Sequence, residues 1–304
     1  MNRYNAYSSY LTQRFGVPVL KVPLNGGFSC PNRDGVRGTG GCAFCENRAF
    51  SPVAGERGSP PALLTSVIAR PSNAGKVFIA YLQPFSNTYG SPGYLAGVYE
   101  PLLQVPRVVG LSIGTRPDCL PDPVYEYLAD LARRTWLTVE LGLQTIHNAT
   151  LVRINRGHSY EDFETAAFRL AHLGIDTVAH VMLGLPGESP AMMQETASAL
   201  ASLPVSGVKI HQLMIIRGTP IAEWYERGEV RAMELDTYAE ALCGFIERLR
   251  PDQHVHRIMA DSRPGHGLIA PLWSARKSTS LAYLRQWMDE NDLIQGRRWP
   301  HPPR

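Results

Sequence analysis

The chain has no uninterrupted apolar run of about 18 residues, so no membrane-spanning helix is expected. Its opening stretch, MNRYNAYSSYLTQRFG, lacks the apolar centre of an export signal, and the expected location is cytoplasmic. Cysteine is scarce and odd in number, five in 304 residues. That argues against a disulfide framework and for a reducing compartment. Strong charge of either sign is also missing. A net charge of +3 does not suit a protein that coats nucleic acid by charge alone, although a local basic patch would suffice for RNA. With 44% apolar and 19% charged residues the chain is an ordinary globular one, and its 27 glycines and 24 prolines predict many loops.

Three of the five cysteines, Cys30, Cys42 and Cys45, fall in one stretch, CPNRDGVRGTGGCAFC. Gly35, Gly38, Gly40 and Gly41 lie between the first two, so the loop can curl tightly and bring backbone close to a bound group. Three thiolates on one small loop point to a metal centre. Structural zinc wants four protein ligands. Here there is one CxxC and no histidine between Tyr4 and Glu140, so zinc would need a distant fourth ligand. An iron–sulfur cubane takes one thiolate per iron, and three would leave one iron open. A CxxC redox pair would leave Cys30 idle. Three reduced, buried cysteines are the bland alternative.

Further along, apolar strand-like runs alternate with amphipathic helices. The expected strands are 17–24, 76–83, 107–115, 137–144, 177–185 and 207–216. The expected helices are 1–16, 60–69, 93–104, 122–134, 159–173 and one from Ser189-Pro190 to about Leu203. Six β/α repeats with apolar strands mean a parallel sheet covered by helices, open or partly closed into a barrel. Ligands then bind at the C-terminal strand ends, where the cysteine loop also sits. Polar residues recur there: Gln83, Asn87, Arg116, Glu140, Gln144, His180, Lys209 and His211. Glu140 and Gln144, four apart, share a strand face. Each alone suits a turn or a satisfied core group, but together they suggest a site.

After residue 222 the pattern changes: helices over 235–249 and 279–290, a possible strand over 254–260, and Trp224, Trp273, Trp287 and Trp299. Tryptophans here read as core before base-stacking platforms. Arg257, Arg263, Arg276, Lys277, Arg285, Arg297, Arg298 and Arg304 make this region basic, which suits a solvated face as well as a docking one. Cys119 and Cys243 read as small apolar residues.

CPNRDG…GGCAFC, LQPFSNTYG, IGTRPDCLP, VELGLQT, INRGH, HVMLGLPGE, KIHQLMIIRGTPIAEWYERGE and LIAPLWSARKS together resemble the radical S-adenosylmethionine (SAM) superfamily, in its YhcC-like branch, related to the elongator catalytic-subunit group. The longer gap before the CxxC is typical of that branch. The resemblance implies a partial TIM barrel, (β/α)6, over residues 1–222 and a C-terminal α/β extension over 223–304 that closes the barrel or docks substrate. It implies that Cys30, Cys42 and Cys45 hold a [4Fe-4S] cluster whose fourth iron is chelated by SAM. One electron then cleaves SAM to methionine and a 5′-deoxyadenosyl radical, which abstracts hydrogen from substrate. An electron donor such as flavodoxin or ferredoxin is implied as well.

Roles follow from the same resemblance. Phe44 would pack near adenine, with Met182–Gly184 and Leu213–Met214 flanking it. Gln83 or Asn87 would hold the SAM amino group, and Glu140 or Gln144 would face ribose or the methionine moiety. Arg156 would take the SAM carboxylate, which a guanidinium fork matches. Lys209 and His211 would stand on the substrate side as catalytic residues. Elongator relatives act on the wobble uridine of tRNA, so the leading expectation is tRNA wobble-uridine modification, processing a carboxymethylaminomethyl side chain to aminomethyl. Two alternatives are a radical SAM oxidoreductase on a small metabolite and a non-enzymatic iron–sulfur or zinc-loop sensor.

Overall fold

The computed structural model describes residues 3–51, 53–55, 58–262 and 265–300. Arg263 and Arg304 of the basic set lie outside the described residues. The elements in chain order are α1 (Tyr7–Phe15), β1 (Val19–Leu24), α2 (Asn47–Phe50), α3 (Pro60–Ile68), β2 (Val77–Leu82), α4 (Pro92–Leu103) and β3 (Val108–Thr115). Then come α5 (Asp122–Arg134), β4 (Trp136–Gln144), α6 (Asn148–Arg153), α7 (Tyr160–His172), β5 (Asp176–Leu183), α8 (Pro190–Ser202) and β6 (Gly207–Gln212). The chain ends through β7 (Ile215–Ile216), α9 (Pro220–Glu226), α10 (Leu235–Ile246), β8 (His254–Arg257), β9 (Leu268–Ala270) and α11 (Lys277–Glu290).

Local chemistry fixes many of these boundaries. At α7 the Ser159 hydroxyl accepts from the Asp162 N–H (3.2 Å) while the Asp162 carboxylate accepts from the Ser159 N–H (2.8 Å), a reciprocal cap. Gly174, at φ +69°, ends that segment in a conformation a side chain would resist. Ser91 and Ser189 cap α4 and α8, each followed by a proline in the first turn. Asp122 does not cap α5: Pro121 holds the cap position and the Asp122 carboxylate accepts from Arg169 instead (2.6 Å).

Seven strands form one parallel sheet in the order β1-β2-β3-β4-β5-β6-β8. The six β/α units thus gain a seventh parallel strand from the region after residue 222. The sheet curls, because side chains from distant strands meet inside it. Lys21 of β1 pairs with Glu140 of β4, and Lys209 of β6 reaches Tyr81 of β2 (2.8 Å). This is a partial TIM barrel. The N-terminal segment spans the gap between the edge strands: Val255 N–H donates to Asn5 O (2.8 Å), and the Tyr7 ring stacks on His256 with centroids 3.5 Å apart. Such cover leaves little edge open for strand addition. Helices pack outside on a continuous apolar layer that includes Leu82, Tyr99, Leu111, Phe163, Tyr238 and Phe245.

The expected strand 207–216 is broken. β6 stops at Gln212, whose side-chain amide binds both N–H and C=O of Ala260, and Ile215–Ile216 pairs antiparallel with Leu268–Ala270. The run is apolar throughout, so only its partners some fifty residues on impose the break. Among the described residues no helix is long and apolar enough to cross a membrane.

Candidate active site

The cysteine loop leaves β1 and turns over the C-terminal end of the sheet. Gly35, Gly40 and Gly41 take positive φ there. The loop is clamped by the segment after α6: Asn155 donates to Gly41 O (2.8 Å), Ala43 N–H donates to Ile154 O (2.9 Å), and Asn32 donates to Asn155 O (2.5 Å). Cys30, Cys42 and Cys45 therefore line one cavity of about 180 Å³, with Phe44, Gln83, Glu140, Gln144 and Arg156 on its walls. N–H groups face the sulfurs. Arg156 Nη1 lies 3.4 Å from Cys42 Sγ, Asn32 Nδ2 3.7 Å from the same sulfur, and Arg33 Nη1 3.6 Å from Cys45 Sγ. Burial, then the neighbouring Cys42, pushes the Cys45 thiol up to about 12, against Arg33.

This donor set suits a cluster better than a single ion. Structural zinc wants four protein ligands, and Cys119 stands outside the cavity that the three thiols line. A tetrahedral zinc needs its ligands on one point, whereas a cubane takes each thiolate on a separate iron. Donors aimed at sulfur also match the sulfur hydrogen bonds that tune such clusters.

The cavity wall is braced from behind. Arg116 grips Asp118 with two bonds of 2.9 Å and donates to Arg156 O (2.7 Å), which holds the Arg156 backbone in place. His158 lies 3.0 Å from Gly142 O, and burial followed by Arg156 pushes it down to about 3, so it is neutral. Cys119 is buried outside this cavity, beside Arg37, Tyr89 and Asp118, and burial pushes its thiol up to about 12. It is not a fourth thiol at the site. Cys243 is buried in α10.

A second chamber of about 150 Å³ adjoins the first and shares Phe44, Gln83, Gln144 and His180 with it. Lys209, His211, Met182, Met214 and Arg257 are also in its lining, with Tyr81 and Phe50. Both volumes are far beyond the ~10–15 Å³ that one water requires.

The structure brings most of the expected residues together and separates a few. Phe44, Gln83, Gln144, Arg156, Met182, Met214, Lys209 and His211 line one or both chambers. Asn87 does not: it is fully buried and its amide donates to Leu82 O, Pro84 O and Gly114 O, tying two loops together. Leu213 packs beneath the site against Ala43 and Ile221, and Gly184 turns at φ +83° beside Met233. Glu140 lines the first chamber, but at 1% exposure its carboxylate is held by Ser112 (2.7 Å), His180 (2.6 Å), Lys209 (3.0 Å) and Lys21. Lys21 and Ser112 fill one oxygen and His180 and Lys209 the other, which leaves neither free for a ribose.

Residues outside the expected set also belong here. Lys21 and Tyr81 complete the inner charge cluster, with Lys21 4.0 Å and Lys209 4.6 Å from the Tyr81 ring centre. A lysine inside the apolar run VPVLKVPL was the signal for the first. Arg257 was grouped with a solvated basic face, but it turns into the second chamber, 2.9 Å from His211 Nδ1. Arg276, Lys277, Arg285, Arg297 and Arg298 are exposed. Trp224, Trp273 and Trp287 pack against apolar core.

Residues 33–200 match the model of the radical SAM superfamily, and residues 205–290 match that of the radical SAM C-terminal domain. The chain belongs to the radical SAM superfamily and is a radical SAM enzyme. Within it, the chain is 40% identical over 301 residues to the uncharacterized protein YtqA of Bacillus subtilis, covering 97% of this chain and 92% of that one. It is 36% identical over 304 residues to protein YhcC of Escherichia coli, covering 98% and 97%. A tRNA uridine(34) acetyltransferase of Methanocaldococcus infernus is 35% identical over 146 residues, 45% of this chain and 27% of that protein. The solved structure of Elp3 from the same archaeon, lacking its N-terminus, superposes with a TM-score of 0.70 at 19% identity, over 91% of this chain and 64% of that one.

Proposed function

We propose that Cys30, Cys42 and Cys45 hold a [4Fe-4S] cluster with SAM beside it, and that the enzyme modifies the wobble uridine of tRNA. The observation that carries this reading is the placement of three thiols, each on one wall of a cavity, with a second chamber directly behind. When bound, the cluster and SAM supply one-electron cleavage of a sulfonium and hydrogen abstraction from the substrate. Arg156, Asn32 and Arg33 direct N–H groups at the sulfurs. Gln83, Gln144 and Arg156 offer polar contacts to the amino-acid end of SAM, and Phe44, Met182 and Met214 offer apolar contacts to adenine. Lys209 and His211 face the substrate. Flavodoxin or ferredoxin delivers the electron.

The tRNA part rests on the relationship to the uridine(34) acetyltransferases and on the shared Elp3 fold. The reaction we assign is conversion of a carboxymethylaminomethyl side chain to aminomethyl: loss of a hydrogen atom to the SAM-derived radical and of a second electron to the oxidised cluster would give an imine at the methylene beside nitrogen, and water would release the two-carbon fragment as glyoxylate. Residues 1–222 would form the core and 223–304 the extension that closes it; the β8 strand and the Arg257 side chain, both from the extension, meet the core at the inner chamber. Anaerobic reconstitution is expected to give about four irons per chain, and dithionite with SAM to give 5′-deoxyadenosine. Nucleoside analysis of tRNA from a deletion strain decides the substrate. Unchanged wobble uridines would reject tRNA and leave a small-metabolite oxidoreductase.

A further inference from the structure

The inner end of the barrel holds more positive charge than its own carboxylate can balance. Lys21, Lys209 and Arg257 gather there, and Glu140 is the carboxylate bonded among them. His180 and His211 bring no negative charge, and burial holds both well below the usual histidine range, so they are neutral. No Asp or Glu is among the residues lining the second chamber; Asp261 acts on Arg257 from outside it and is itself paired with Lys277 (3.0 Å). Arg257 is the least satisfied of the three cations. Its Nη2 straddles the edge of the His211 ring, 2.9 Å from Nδ1 and 3.1 Å from Nε2, and its Nε is buried without a partner. Lys209 donates to Glu140 and Tyr81, which leaves one of its three N–H bonds for the chamber. Buried cations without counter-charge are costly, and an arrangement of this kind is completed by an anion from outside.

We propose that this chamber is an anion subsite that receives the carboxylate of the substrate, with Arg257 as its direct ligand and Lys209 and His211 beside it. The proposal rests on the wobble-uridine reading and narrows it: the group that enters is the carboxylate-bearing end of the uridine side chain. One feature favours a carboxylate on a short carbon chain over a phosphate: the chamber is small, and Met182, Met214 and Phe50 give it apolar walls that suit a methylene beside the charge. The guanidinium fork itself matches either anion.

Two measurements on the full-length reconstituted protein test this. The first is calorimetric titration with N-methylglycine and, separately, with inorganic phosphate. Saturable binding of N-methylglycine is expected, weakened about 10- to 100-fold by Arg257→Gln and partly restored by Arg257→Lys, as for a charged hydrogen bond. The second compares tRNA carrying the side chain as the free acid and as its methyl ester. Wild type is expected to favour the acid by a similar factor in kcat/KM, and Arg257→Gln to erase the preference. Tighter binding of phosphate, N-methylglycine binding that is absent or indifferent to residue 257, or equal use of acid and ester overturns the proposal. Arg257-dependent binding of N-methylglycine with no turnover of the modified tRNA would uphold the anion subsite and reject tRNA alone. Matching melting temperatures for the lysine variant and wild type separate loss of fold from loss of the ligand.

Discussion

The guanidinium of Arg156 occupies the space that a side chain at residue 142 would take. Its Nη2 donates to Gly142 O at 2.7 Å, its Nη1 sits 3.4 Å from Cys42 Sγ, and a Cβ on residue 142 would collide with it. Glycine at this strand position is thus a condition for placing a cation at the cluster cavity. Gly142→Ala is expected to displace Arg156 and to lower SAM affinity about 10-fold, the order of one charge-assisted hydrogen bond, while iron content stays the same. Equilibrium dialysis of SAM against reconstituted protein measures it. An unchanged affinity would remove Arg156 from the SAM site.

The half-buried Cys45 and the buried Cys119 sit in separate environments. Cys45 lines the cavity with Cys30 and Cys42, while Cys119 lies on the other side of the loop with Asp118 and Tyr89. Cys45→Ala is expected to abolish both the cluster and 5′-deoxyadenosine formation. Cys119→Ala is expected to retain about four irons per chain, with a stability loss no larger than a small apolar truncation. Iron and sulfide assays with the visible spectrum distinguish them, and iron loss in Cys119→Ala would show that the cluster draws on the wrong set of thiols.

Much of this arrangement was legible in the sequence for a physical reason. Buried parallel strands are continuous apolar runs, and serine caps, with an Asp three residues on at α7 and a following proline at α8, mark helix starts, so β2, β3, β4, α7 and α8 are written locally. Spacing also gave the cysteine triad. Contacts that cross the curled sheet were not legible in the same way. Lys21 meets Glu140 and Lys209 meets Tyr81 only because strands far apart in order face a common interior. For that reason Glu140 looked free for a ribose, and Arg257 looked like surface charge. Asn87 has the chemistry of a ligand, yet its amide nitrogen is claimed by the carbonyls of Leu82, Pro84 and Gly114, away from either chamber. Periodicity reports which face a residue occupies, but not which partner waits there.

Glu140 is the carboxylate to which Lys21 and Lys209 are both bonded. Glu140→Gln removes that charge and leaves two buried ammonium groups facing Arg257. Breaking a buried pair from one side costs about 3–5 kcal/mol. Burial already lowers both lysines, with Lys209 and Arg257 adding to the effect on Lys21 and Arg257 to that on Lys209. A lysine depressed in the folded state binds fewer protons there than when unfolded, so stability rises with pH between its folded value and the ordinary lysine value near 10.5. The unfolded value is common to both proteins, so the deficit is expected to be largest where the wild-type lysines are still charged and to narrow as pH rises through their lowered folded values, below 10.5. Urea midpoints of wild type and variant at several pH values check it. A deficit independent of pH would mean that the lost interaction is packing and not charge.

His158 gives a prediction on the acid side. It is buried against Gly142 and Ser159, and burial with Arg156 brings it down to about 3 from 6.5. Below 6.5 the unfolded chain takes up a proton that the folded chain refuses, so stability falls as pH drops through the window from 6.5 to about 3 and is flat, for this group, above it. At pH 5 the contribution is roughly 2 kcal/mol, from about 1.4 kcal/mol for each unit between pH and the unfolded value. His158→Gln keeps a donor for the Gly142 carbonyl and removes the titration. Its stability at pH 7 is expected to be lower than wild type by the cost of imperfect packing, and its loss between pH 7 and pH 5 to be smaller by about 2 kcal/mol. Denaturant titrations of both proteins at the two pH values give the difference directly. Equal losses in the two proteins would show that His158 is protonated in the fold, and the Gly142 carbonyl would then accept from a charged imidazolium beside Arg156.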